Sequence, residues 1–184
     1  MSSVADIQVL IVDDNRQMRF LMRSLLRAAG VFRVAEADGA LEAFDLMNRF
    51  PVDLVLVDWM MKPIDGIAFT RMVRMAEDSP NPFVPVLMMT AHTEASRVKA
   101  ARDAGVTGFL KKPISARVLF ERMSASLLDT RVFVRTPDYF GPDRRRCQDP
   151  RYLGPFRRSG DQNGLTDEQS KAQTLDIEDV RLRA

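Results

Sequence analysis

Cysteine is all but absent: Cys147 is the only one in 184 residues. No disulfide can close within the chain, which excludes a stapled secreted scaffold and fits a reducing cytosol. The first residues, Met1-Ser-Ser-Val-Ala-Asp-Ile, lack the basic segment and long apolar run of a signal peptide. No apolar run approaches the roughly 20 residues that cross a bilayer. The expected setting is the cytoplasm, with no membrane partner. Room for a second globular core is also lacking, because the 54 residues after Thr130 are poor in apolar side chains. A DNA-binding output domain is therefore not expected.

What is present suits one globular domain, at 46% apolar residues. The net charge of +2 is unevenly spread: residues 1–130 carry 16 basic and 16 acidic groups, residues 131–158 carry +5 and residues 159–184 carry −3. Such shifts mark boundaries. The divisions expected are a domain over 5–128, an arginine-rich extension over 131–160, and an acidic segment over 161–184 that is unstructured or weakly helical.

Within the first 130 residues, strand and helix patterns alternate. Ile7–Val12, Val52–Val57 and Val84–Met89 are short apolar runs of the kind buried on both faces of a parallel sheet. Met18, Leu21, Met22, Leu25 and Leu26 recur at helical spacing. Further helices are predicted over 39–49, 66–77, 94–104 and 115–128, and Gly30 and Gly105 stand where a left-handed residue ends a helix. Five such units predict a doubly wound α/β fold with a five-stranded parallel sheet, flavodoxin-like, followed by a largely disordered extension.

Reactive groups in such folds gather at the carboxyl ends of the strands. Asp13, Asp14, Asp58, Thr90 and Lys112 all stand at predicted strand ends. Crowded carboxylates repel one another unless a cation neutralises them, and hard oxygen ligands suit Mg²⁺. Asp58 could then attack phosphorus as a carboxylate nucleophile, Lys112 could pair with a phosphoryl oxygen, and the Thr90 hydroxyl could donate to another. Each residue alone has a plainer role: Asp13 or Asp14 as a helix N-cap, Lys112 as a solvated charge, Thr90 as a β-branched strand residue. Their joint occurrence, in order, favours phosphotransfer.

The segments Ile11-Val-Asp-Asp-Asn, Leu56-Val-Asp-Trp-Met-Met, Asp65-Gly66, Met88-Met-Thr-Ala and Phe109-Leu-Lys-Lys-Pro resemble the receiver domain of bacterial response regulators, of the CheY type. The resemblance implies a signalling domain rather than an enzyme beyond self-phosphotransfer and autodephosphorylation. It implies Asp58 as phosphoacceptor and Mg²⁺ held by Asp13, Asp14, Asp58 and the Met60 carbonyl. It also implies Thr90 and Phe109 as paired switch residues, with Phe109 swinging inward, and Lys112 rather than Lys111 as the phosphate partner. The implied partners are a histidine kinase or phosphotransferase and, for the chemotaxis type, the flagellar motor switch protein, with recruitment to the flagellar pole. The family usually has proline directly after the acceptor-loop methionine. Here Met61 is followed by Lys62 and then Pro63, which adds a positive charge beside the pocket.

The arginine-rich segment repeats itself at a spacing of 13: Pro137/Pro150, Tyr139/Tyr152, Gly141/Gly154, Pro142/Pro155, Arg144/Arg157 and Arg145/Arg158 are identical. Its eight basic residues are all arginine, which adds to charge a planar face for stacking and a fork for phosphate or guanine edges. The two Tyr-x-Gly-Pro-x-Arg-Arg units, with Arg146 beside the first, resemble the c-di-GMP-binding extension of Cle-type CheY-like proteins of alphaproteobacteria. By that resemblance Tyr139, Asp143, Arg144, Arg145, Arg146, Tyr152, Arg157 and Arg158 contact the nucleotide, Asp143 accepting from guanine. Phe156 replaces Asp143 in the second unit, so the halves cannot be equivalent. The segment is expected to stay unstructured until it binds. An acidic protein surface, an inert solvated tail and nucleic acid remain alternatives, the last disfavoured by a local charge of only +5 with acids nearby.

Overall fold

A computed structural model of the protein describes residues 6–91 and 95–144. Five parallel strands form one sheet in the order β2-β1-β3-β4-β5: β1 Gln8–Val12, β2 Arg33–Ala37, β3 Leu54–Asp58, β4 Val86–Thr90 and β5 Gly108–Lys111. Between and after them lie α1 Arg16–Ala28, α2 Ala40–Arg49, α3 Gly66–Met75, α4 Ala95–Asp103 and α5 Ala116–Leu127. This is the doubly wound fold the alternation predicts, with each predicted helix within two residues of its place.

Strand alternation sorts the apolar residues into two layers. Val9, Ile11, Leu54, Leu56, Leu87, Met89 and Leu110 face α1 and α5, meeting Met22, Leu26, Leu119 and Met123. Leu10, Val12, Val55, Val57, Val86 and Met88 face α2, α3 and α4, meeting Ala43, Met47, Phe69, Val73 and Ala101. Both faces of β1, β3 and β4 are thus covered, which is why those strands read as unbroken apolar runs. The edge strand β2, Arg-Val-Ala-Glu-Ala, is only partly buried and carries no such run. The apolar pattern does not mark it.

Two details of the helix ends depart from expectation or refine it. Asn15, not Asp13 or Asp14, is the N-cap of α1, its side chain accepting from the backbone N–H of Gln17 and Met18. Gly30 and Gly105 do take the left-handed conformation, at φ +86° and +93°.

The largest departure is in the extension. The compact unit continues to Arg144, where an unstructured arm was expected from 131. Strands β6 Phe133–Thr136 and β7 Tyr139–Pro142 form an antiparallel hairpin on the ends of α3 and α4. Phe133 and Phe140 make a cluster with Phe83, ring centroids 5.1–5.5 Å apart. Such pairs contribute about 0.5–1.5 kcal/mol each beyond area burial, one part of what offsets the ordering cost of a short hairpin. Beneath them lies Arg74, the largest fully buried side chain. Its Nε donates to the Gly105 carbonyl at 3.1 Å and one Nη to the Pro82 carbonyl at 2.6 Å, while Phe133 stands 5.3 Å from the guanidinium. Burial pulls Arg74 down to about 9, so it stays protonated at neutral pH.

Gly105 touches the hairpin where side chains do not fit: a Cβ there would lie 2.8 Å from the Phe140 carbonyl oxygen, whereas one at Gly30 meets nothing within 4 Å. Gly30→Ala is expected to lose the left-handed backbone penalty, about 1–2 kcal/mol. Gly105→Ala is expected to lose about 1–3 kcal/mol more. Urea unfolding of the full chain separates the two, and equal losses would mean that hairpin docking contributes nothing at Gly105.

Candidate functional site

The carboxyl ends of β1, β3, β4 and β5 converge, and each brings one polar residue. Asp13 follows β1 and is buried; its Oδ1 accepts from the Asn15 N–H at 2.8 Å, and Arg19 donates to its carbonyl at 2.7 Å. Asp58 and Thr90 are the last residues of β3 and β4 rather than the residues after them, and both are buried. Lys112 follows β5, placed by its N–H donating to the Thr90 carbonyl at 2.8 Å. Its ammonium reaches Asp58 Oδ1 at 2.7 Å and lies 3.6 Å from Asp13 Oδ2. The adjacent Lys111 pairs in register with Thr90 on the sheet, and it is Lys112 that reaches the carboxylates.

The acceptor loop is held from two sides. Asp58 Oδ2 accepts from the Met60 N–H at 3.0 Å, and the Trp59 N–H donates to Met89 of the neighbouring strand. The Gly66 N–H donates back to the Trp59 carbonyl at 3.0 Å. A Cβ on Gly66 would stand 2.3 Å from the Asp58 carbonyl oxygen. Only glycine lets α3 start so close to β3, while Asp65 caps that helix by accepting from the Ala68 N–H. The motif residues were legible in sequence; this reason for Gly66 was not.

The electrostatics of the pair are unbalanced. Burial, and then the Asp58 charge facing it, push Asp13 above the usual carboxylate range, against the Asn15 N–H and Lys112. Its Oδ2 has no hydrogen-bond partner. One ammonium thus serves two buried carboxylates, which leaves a deficit of positive charge. Asp14 is exposed at the rim, and Met60 is exposed at 63%. Among the described residues no three His, Cys, Asp or Glu side chains gather closely enough to enclose a metal. The donor set nevertheless fits Mg²⁺, which binds through one or two carboxylates and keeps several waters. An open cleft of about 500 Å³ adjoins the site, lined by Asp14, Met60, Met61, Lys62, Pro63 and Asp65 among others, so the charge of Lys62 lies at the rim. Phe109 is partly buried against the core layer of α2–α4 and pairs with Met88.

Residues 9–124 match the response regulator receiver domain family. The chain belongs to that family. Its relatives include the chemotaxis protein CheY-3 of Vibrio cholerae, 35% identical over 118 residues, which span 64% of this chain and 89% of that protein. The chemotaxis protein CheY of Pseudomonas aeruginosa is 37% identical over 116 residues, 63% of this chain and 92% of that one. Among solved structures, Vibrio cholerae CheY4 superposes with a TM-score of 0.61 at 29% identity, covering 65% of this chain and 98% of the other. The receiver is therefore of the chemotaxis, CheY-like type, a signalling domain. Among its described residues no helix is long and apolar enough to cross a membrane.

Of the arginine-rich segment's candidate residues, the described ones, Tyr139, Asp143 and Arg144, do not join this receiver site. Tyr139 is buried at 7% exposure, its hydroxyl donating to the Pro142 carbonyl at 2.6 Å. The Arg144 guanidinium lies 4.3 Å over the Tyr139 ring and pairs with Asp103. As docked, Tyr139 offers no free face, while Arg144 is engaged yet still exposed. Asp143 continues the hairpin, its N–H donating to Val132. Arg145, Arg146, Tyr152, Arg157 and Arg158 lie outside the described residues.

Because burial raises Asp13, the folded state prefers the protonated form; stability is lost as pH rises from 3.8, the ordinary value, through the raised folded value. That preference is the cost of ionising a buried carboxylate. Asp13→Asn removes that cost. In Mg²⁺-free buffer the variant is expected to be about 1–2 kcal/mol more stable than wild type by urea unfolding. A loss of that size would contradict the charge deficit.

Proposed function

We propose that this receiver accepts a phosphoryl group on Asp58. The observation that carries the reading is the triangle of Asp58, Asp13 and Lys112, in which one ammonium bridges two buried carboxylates and Asp13 Oδ2 is left with the longer ion pair and no hydrogen bond. CheY-like receivers interact with histidine kinases and phosphotransferases, and such a protein is the donor assigned here. Asp58 Oδ attacks the donor phosphorus, the bond from phosphorus to the donor breaks, and an aspartyl phosphate forms. Lys112, already 2.7 Å from Asp58 Oδ1, pairs with a phosphoryl oxygen. Asp13, Asp58 and the Met60 carbonyl, with Asp14 at the rim, are the ligands assigned to Mg²⁺. When bound it neutralises the carboxylates and the incoming phosphoryl oxygens. Thr90 and Phe109 are assigned the switch, and Lys62 contributes charge at the cleft.

A second input is assigned to the arginine units: c-di-GMP, held by stacking and guanine-edge contacts. The support is the repeat and the all-arginine composition of 131–158. Capture of Arg144 has to release it from Tyr139 and Asp103. Output on the flagellar motor switch completes the reading.

With a small acyl phosphate and Mg²⁺, wild type is expected to take up one hydroxylamine-sensitive phosphoryl group and Asp58→Asn none; undiminished uptake by the variant would remove the acceptor. Calorimetry with c-di-GMP, GTP and a short oligonucleotide tests the second input. Arg145→Lys and Arg158→Lys are each expected to weaken c-di-GMP binding about ten- to hundredfold, or about 1–3 kcal/mol. Wild-type affinity in both would reduce the contact to charge, and no binding by the full chain at micromolar c-di-GMP would end this assignment while leaving Asp58 untouched.

A further inference from the structure

Asp13 is gripped at three points, and two of them lead to the edge strand β2. Its N–H donates to the Ala37 carbonyl at 3.2 Å, and its Oδ1 accepts from the Asn15 N–H at 2.8 Å. Its carbonyl accepts from Arg19 Nη1 at 2.7 Å. The Arg19 side chain is only 15% exposed, and its Nε lies 3.5 Å from Glu36 Oε2 on β2. Glu36 Oε1 is taken by Arg23 at 2.6 Å. A connected path thus runs from β2 through Arg19 to the main chain of the residue that faces Asp58 and Lys112.

These are not the contacts of a clasp built for stability. A guanidinium paired for strength sets two parallel N–H groups on one carboxylate. Arg19 instead turns Nη1 to a carbonyl and leaves its buried Nε without a hydrogen bond. Its place in the helix is also unfavourable. Arg19 is the fourth residue of α1, whose first turn holds no acid, and the helix dipole opposes a cation near that end. What the position gains is a hold on Asp13.

We propose that Arg19 is a positioning residue for the Asp13 carboxylate, and that Glu36 keeps its guanidinium in place. With N–H, carbonyl and Oδ1 all engaged, little freedom is left to the residue, and Oδ2 is presented toward Lys112 at 3.6 Å. Without Arg19 the carbonyl loses its donor and the carboxylate its fixed aim. The acid that interrupts the apolar pattern of β2 is thereby given a use. Arg19 itself touches neither the cation nor the phosphoryl group. The inference rests on the reading of Asp13 as a Mg²⁺ ligand and deepens it.

Calorimetric titration of the full chain with Mg²⁺ tests it, beside urea unfolding in Mg²⁺-free buffer as the measure of the fold. Arg19→Met keeps the length of the side chain but cannot donate. It is expected to weaken Mg²⁺ binding about ten- to hundredfold, the effect of losing a partner that orients a metal ligand. Arg19→Lys keeps a donor and is expected to lose less, which keeps the test valid if Arg19→Met does not fold. Glu36→Gln is expected to weaken binding by a smaller factor than Arg19→Met. Arg23→Met frees Glu36 Oε1 without touching Asp13 and is expected to bind as wild type does. If both Arg19 variants lose stability to urea yet bind Mg²⁺ with wild-type affinity, the contact is merely structural and the proposal is overturned. A loss in Arg23→Met equal to that in Arg19→Met also overturns it, because the effect then comes from general packing of α1 on β2. A wild-type chain that takes up no Mg²⁺ overturns the reading of Asp13 as a ligand, and this inference with it.

Discussion

Two carboxylates, Asp13 and Asp58, are buried at one edge of the sheet with a single ammonium, Lys112, between them. Much of the receiver serves to hold that arrangement against its own repulsion. The parallel strands β1, β3 and β4, covered on both faces, provide a rigid edge from which the side chains project. Gly66 lets α3 begin against the acceptor loop, and the Met60 and Asn15 N–H groups fix the carboxylates through backbone donors rather than mobile side chains. On the proposed function, the remaining imbalance is what a cation would relieve, and a cation there would make room for an anionic phosphoryl group.

The fold, and the gathering of Asp13, Asp58, Thr90 and Lys112 at one sheet edge, were legible because each rests on a local signal. Continuous apolar runs mark strands buried on both faces, and Asp13, Asp58 and Thr90 end or follow three of them, while Lys112 follows the shorter, partly buried β5. β2 escaped because an edge strand of Arg-Val-Ala-Glu-Ala need not be apolar throughout. The hairpin escaped for a different reason. Its proline, glycine and arginine content argues against a free-standing fold, and its stability comes from partners distant in sequence: Phe83, Arg74 and Gly105. Arg74 itself gives no signal, since an arginine in Met-Val-Arg-Met reads as a solvated helix charge, like Arg71. Its burial is accounted for by the packed hairpin above it together with the Gly105 and Pro82 carbonyls it donates to.

The hairpin and the acceptor lie at the two ends of one helix. α3 starts beside Asp58 at Gly66 and ends with Arg74 beneath Phe133, and its ten residues span about 15 Å. The hairpin also touches α4 through Asp103 and the β5 approach through Arg131, which donates to the Thr107 carbonyl. Asp103 is partly desolvated, yet Lys99 and Arg144 hold it below the usual carboxylate range, so it stays a charged anchor for the extension near neutral pH. The extension is accordingly part of the receiver's packing up to Arg144, and anything that captures Arg144 acts on a residue already in use.

The charge deficit can be read directly at Trp59, the chain's only tryptophan, which follows Asp58 and is 7% exposed. Its fluorescence should change saturably as Mg²⁺ is added to the wild-type protein, and Asp13→Asn combined with Asp58→Asn should abolish that response. A wild-type signal indifferent to Mg²⁺, or the same saturation curve in the double variant, would contradict a cation site built from these two carboxylates.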